Sequence, residues 1–205
     1  MPLEARSNQS AVLDARTSLE KSAAPGRLRA FLDLYDEMRD GRLVPHRNDL
    51  DLRKLSAFLT DLTLMEIEDE ATITYRLMGS DVAERMGADL TGRNFLEFLS
   101  PKERRGTARA MDLIVSRPVG LFSIYLNQYA RGVLSRNESI MLPLSAGDDD
   151  KVTQIIGLHL VQTTVNYATA GDNTIIAADT FGTEPVDLGN GVPTADEIAR
   201  LRAVS

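Results

Sequence analysis

The sequence predicts an α+β domain: a five-stranded antiparallel sheet with short helices across one face, preceded by an amphipathic helix and followed by a polar C-terminal tail. Three observations carry this. Residues 62–79 and 120–163 hold β-branched and aromatic runs separated by turn residues, the pattern of strands. Residues 80–116 between them have helical spacing that glycine and proline interrupt repeatedly. Residues 165–205 turn rich in Gly, Asp, Thr and Pro, and read as an extension. At 205 residues the chain suits one domain, expected over 27–164, with a flexible or helical arm at 1–26 and an extension at 165–205.

In chain order, "RLRAFLDLYDEMRDGR" places Leu28, Phe31, Leu32, Tyr35 and Met38 at helical spacing, and Gly41 stops the helix. Such a stripe needs an apolar partner, either its own domain or a second copy. "LVPHRNDLDLRKLSAFLTDL" opens on a proline-pinned turn, and Leu52, Leu55, Phe58 and Leu59 then line one side of a helical stretch that Asp49 or Asp51 can cap. "LTLMEI" and "TITYRLMG" flank the acidic turn at 68–71 as a hairpin, with Ile73, Tyr75 and Leu77 alternating against Thr72, Thr74 and Arg76.

Gly79 ends that strand. Ser80 or Asp81 caps a short helix with Val82, Ala83 and Met86 on its apolar side, Gly87 stops it, and Thr91-Gly92 leads to Phe95, Leu96, Phe98 and Leu99. Ser100-Pro101 begins a longer helix to about Ser116. "GLFSIYLNQYA", "VLSRNESIMLPLS" and "VTQIIGLHLVQT" then form a three-stranded meander with turns at Arg131-Gly132 and 147–151.

Composition excludes several functions. Without cysteine there is no disulfide, thiolate metal site or cysteine nucleophile. A net charge of −7 disfavours nucleic acid, and the basic group Lys102, Arg104, Arg105 and Arg109 reads as a solvated helix face. The apolar runs are too short to cross a bilayer and no signal-peptide layout opens the chain, so a cytoplasmic protein with no membrane partner is expected. Asp148, Asp149 and Asp150 lack the ligand spacing of a calcium loop. Arg76 and Arg93 are expected in surface pairs with carboxylates such as Glu138. No catalytic triad, paired-carboxylate, metal or phosphate-loop pattern stands out, and no metal site is expected.

The order strand, strand, short helices, longer helix, three strands resembles a PAS domain. The phrases "VPHRNDLDLRKL", "YRLMGSDVAERMGADLTGRNF" and "ESIMLPLS" resemble, in the same order, those of small stand-alone PAS proteins of alphaproteobacteria. That resemblance implies a bacterial sensory module in signal transduction, without enzyme activity. With no kinase, cyclase or DNA-binding segment attached, its signal would leave by association with a partner protein. It also implies homodimer pairing through the N-terminal helix, with Leu28, Phe31, Leu32, Tyr35 and Met38 as interface candidates.

A ligand, where one binds, would sit between helices and sheet, and the candidate walls are Tyr75, Met78, Met86, Phe95, Phe98, Ile114, Ile124, Leu142 and His159. Filling the core is the simpler role of each. Of the cofactors the resemblance suggests, the thiol-linked flavin and the coumarate chromophore are excluded because each needs a cysteine. Haem is disfavoured: His46 follows Pro45 in a turn, and the inward face of His159 is not legible from the sequence. The cofactor is left unknown. A ligand sensor whose pocket is its main site, and a cone-shaped α+β enzyme pairing His159 with an aspartate, are the alternatives.

Overall fold

The structure is a computed structural model describing residues 16–129, 134–147, 151–163, 175–194 and 197. The turn at Arg131-Gly132, the acidic run 148–150 and most of the N-terminal arm lie outside the described residues.

The chain runs α1 (Arg16–Lys21), α2 (Pro25–Arg39), α3 (Leu52–Leu55), β1 (Leu62–Asp69), β2 (Thr72–Met78), α4 (Ser80–Met86), α5 (Pro101–Ser116), β3 (Gly120–Tyr129), β4 (Leu134–Ser145), β5 (Val152–Val161) and β6 (Ile175–Val186). All strands join one antiparallel sheet in the order β2-β1-β5-β4-β3-β6. Five of the six follow the sequence pattern.

The sixth corrects it. Residues 175–186, expected in the polar tail, pair with β3 from Gly120↔Val186 to Tyr129↔Ile175. "IIAADTFGTEPV" hides a strand because Gly182 and Pro185 interrupt it, and an outermost strand tolerates both since only one of its edges must bond.

The strands separate two apolar layers by parity. On one face α2 lays Phe31, Tyr35 and Leu28 over Leu62, Phe122, Ile140, Leu142, Ile156 and Leu158. On the other, the turn Phe95–Phe98 and α5 cover Met65, Ile73, Tyr75, Leu121 and Ile155. Because both faces are covered, β5 is apolar on both, which is why its sequence alone does not reveal a side.

The stripe Leu28, Phe31, Leu32, Tyr35 and Met38 is thereby enclosed at 0–7% exposure within its own chain, and the Tyr35 hydroxyl donates to Pro143 O at 2.6 Å. These five side chains therefore pack against the sheet of their own chain.

Local signals mostly hold. Asp51 caps α3 by accepting from the Arg53 N–H at 2.9 Å, and Ser100 caps α5. The helix expected through Phe58 and Leu59 instead ends at Leu55, leaving Leu52 at 62% exposure. Gly87, at φ +78°, ends α4 in the left-handed region. The cap expected from Ser80 or Asp81 is absent; Gly79 occupies that position because its α-carbon lies against the backbone of Leu59 and Thr60, where an added Cβ would stand 2.3 Å from Leu59 O.

Candidate functional site

The face under α4 and α5 carries a polar cluster built around His159. Ile155, Gly157 and His159 share a face of β5, and the imidazole folds back over Gly157 to reach Thr63 of β1. The Nε2 atom lies 2.9 Å from Thr63 Oγ1, and Nδ1 lies 3.2 Å from the Tyr125 hydroxyl on β3. The ring therefore spans the sheet from β1 toward β3, passing Ser139 of β4, which pairs with His159 in register.

Gly157 makes this possible: a Cβ there would stand 2.8 Å from Thr63 Oγ1 and 2.9 Å from His159 Nε2. Glycine inside a strand marks such a close approach. Besides His159 itself, this strand glycine is the sequence's signal for the cluster, whereas Thr63 and Tyr125 give none.

The imidazole is held neutral. Burial, reinforced by the Arg85 guanidinium, pushes its pKa down from 6.5 to about 3. A neutral ring offers one donor and one acceptor, which suits its two hydroxyl partners in either tautomer. Tyr75, next in the same layer, is held in its neutral form by burial and then by the nearby Tyr125.

Above the cluster stands α4. Its Arg85 donates to His159 O at 3.0 Å through Nη2 and to Asp61 Oδ1 at 2.9 Å through Nη1. Asp61 is 4% exposed and also meets Arg27 of α2 at 2.7 Å. Farther along, Tyr75 and Phe95 touch edge to face at 5.7 Å, and Leu90 N–H points at Met78 Sδ at 3.5 Å.

Of the wall residues expected from the sequence, Tyr75, Met78, Met86, Phe95, Ile114 and His159 lie on this face. Ile124 and Leu142 do not. Strand parity turns both toward α2, in the opposite layer. Phe98 is also displaced: the short turn carries it outward to 38% exposure, beneath the Arg93 guanidinium at 5.3 Å.

His46 stands apart from the site. It accepts from Asn48 N–H and meets Gly147 O at 3.2 Å. Glu138 is not a surface partner of Arg76 or Arg93. It is 1% exposed and accepts from Ala23 N–H and Gln162 Nε2, while Arg76 pairs with Glu66 and Glu68, and Arg93 with Glu97. Arg104 donates to Leu96 O, and Arg105 and Arg109 line a groove of about 730 Å³ that also holds Glu70, Asp112 and Glu197, so the basic group is interleaved with acids. Among the described residues no group of three metal-ligating side chains occurs, and no helix is long and apolar enough to cross a membrane.

The PAS domain family model matches residues 24–160, and the chain belongs to that family. PAS domains are sensory and regulatory modules that commonly bind small ligands and mediate protein association, and are generally not enzymes. The fold is similar to a light-oxygen-voltage domain studied with a flavin analogue (15% identity, TM-score 0.42, 57% of this chain and 87% of that one). It is similar to the Vibrio cholerae VqmA dimer (15%, 0.42, 56% and 53%), so the chain spans about half of that receptor's length. A PAS domain from Colwellia psychrerythraea is a third (13%, 0.38, 54% and 97%). These likenesses concern the fold alone, and a comparison with curated proteins gives no match.

Proposed function

We propose that this chain is a non-enzymatic sensory PAS module that binds an uncharged small molecule between α4 and the sheet and signals by associating with a partner protein, as a homodimer. The observation that carries the ligand is the neutral imidazole of His159 held between two hydroxyls. Such a set, bordered by the apolar side chains of the α4 and α5 layer, supplies the few polar fixings that orient a ligand. A charged ligand would find no opposite charge in the set, because Arg85 is already engaged by Asp61.

Haem fits the site poorly. Both ring nitrogens of His159 are engaged by Thr63 and Tyr125, and iron would have to displace one of them. The enzyme alternative fares no better, since the partners of the imidazole are hydroxyls and not the aspartate that an acid/base pair needs.

Native mass spectrometry and an absorption spectrum of freshly purified protein test the ligand. A retained mass, lost in Thr63→Val, is expected. A clean apo mass with no thermal shift across uncharged metabolites would remove the ligand from the reading. Light scattering of the full chain should give twice the mass of one chain, and a single-chain mass at all concentrations would remove the homodimer.

A further inference from the structure

We infer that Arg27 and Arg85 compete for the single carboxylate of Asp61, so that the first turn of α2 and the α4 cover of the site are coupled with opposite sign. As an output path for ligand occupancy, this coupling rests on the pocket reading above. As a property of the chain, it does not.

Asp61 closes the turn Leu59–Asp61 at the entry to β1. Its Oδ2 meets Arg27 Nη2 at 2.7 Å, and its Oδ1 meets Arg85 Nη1 at 2.9 Å. The carboxylate side chain is only 5% exposed and the Arg85 side chain 11%, so solvent screens that pair weakly, whereas Arg27, at 37%, is partly screened. One negative charge thus faces two positive ones that belong to helices on opposite faces of the sheet.

The attachments of α4 divide into a base and a latch. At its base, Gly79 N–H donates to Leu62 O at 2.7 Å, and the close approach of Gly79 to Leu59 and Thr60 leaves no room for play. At its far end the polar hold on the sheet is Arg85, through Asp61 and His159 O. Entry of a molecule beneath α4 would move the latch before the base. α2 is held in turn by Arg27, which also donates to Ala57 O at 3.2 Å.

The sign follows from Coulomb's law. Releasing Arg85 costs its attraction to Asp61 but relieves its repulsion from Arg27. Without Arg27 that relief is gone, so Arg85 is held more tightly. The reverse is equally true: when α4 lifts, Asp61 is left wholly to Arg27, and the start of α2 is gripped harder. Lifting the cover on one face therefore tightens the helix on the other.

Amide hydrogen exchange on the full chain, with nothing added, tests this. Arg27→Ala should slow exchange at Ala83 and Gly87, whose N–H groups donate to Gly79 O and Glu84 O, by about two- to fivefold, the scale of a partly exposed ion pair. Arg85→Ala should slow exchange at Leu28, whose N–H donates to Ala24 O, while speeding it at Ala83. Asp61→Asn should speed both. If that variant does not fold, the two arginine variants carry the test.

Lys54→Ala, which breaks the exposed Lys54–Glu37 pair on the same helix layer, should leave α4 unmoved. Unchanged or faster exchange in α4 on Arg27→Ala would overturn the coupling, as would an equal response to Lys54→Ala. An apo native mass would remove the ligand and leave these rates untouched.

Discussion

At the scale of single residues, two positions set the chemistry of the candidate site. Replacing Gly157 by alanine forces a methyl group against Thr63 Oγ1 and His159 Nε2, so the imidazole must leave its partners or the strands must shift. We expect a loss of about 1–3 kcal/mol, read from urea unfolding, with m unchanged. His159 itself ties stability to pH. Its folded pKa of about 3 lies below its unfolded value of 6.5, so its contribution is fully present above pH 6.5 and is lost as pH falls toward 3. The slope reaches at most about 1.4 kcal/mol per pH unit. Unfolding free energies of His159→Gln between pH 7 and 4 should fall less steeply than those of the native chain, and parallel curves would refute the assignment.

Among elements, β6 shows most clearly what position does to sequence. Its bonds to β3 bring Val186 to 1% exposure and seat the following Leu188 at 4%, both against the α2 layer. Ending the chain at residue 174 would uncover that layer and bare the β3 edge from Gly120 to Tyr129. Unpaired edges recruit other strands. The truncated chain is expected to lose its cooperative melt and to scatter light at concentrations where the full chain stays clear. A truncated chain with the full chain's melting temperature would show that β6 contributes nothing. The short helices are the reverse case. Gly87 and the Ser100-Pro101 start mark boundaries that the sequence already states, because each acts through backbone geometry that needs no distant partner.

For the whole molecule, one sheet serves two clusters of buried apolar side chains, one on each face. Ile114 belongs to the layer under α4 and α5, and Ile140 to the layer under α2. Ile114→Val and Ile140→Val should each cost about 0.5–1.5 kcal/mol and add within about 0.5 kcal/mol in the double variant, in a single cooperative transition. Two separated transitions would mean that the layers unfold independently.

What the sequence determined by itself is the local and periodic part: the hairpin of β1 and β2, the broken helices after Gly79, the meander of β3 to β5, and the phrases by which the chain is recognised as a PAS domain. It also excluded thiol chemistry outright, since composition needs no fold. The tertiary structure decided which face each strand residue joins, because a strand buried on both sides is apolar on both. That placed His159 toward α4 and α5 while turning Ile124 and Leu142 toward α2. Structure alone also spent the α2 stripe on the chain's own sheet, recovered β6 from an apparently polar tail, and brought Asp61 between Arg27 and Arg85. Each of these depends on pairs of residues far apart in the chain, and a linear pattern carries no record of such distances.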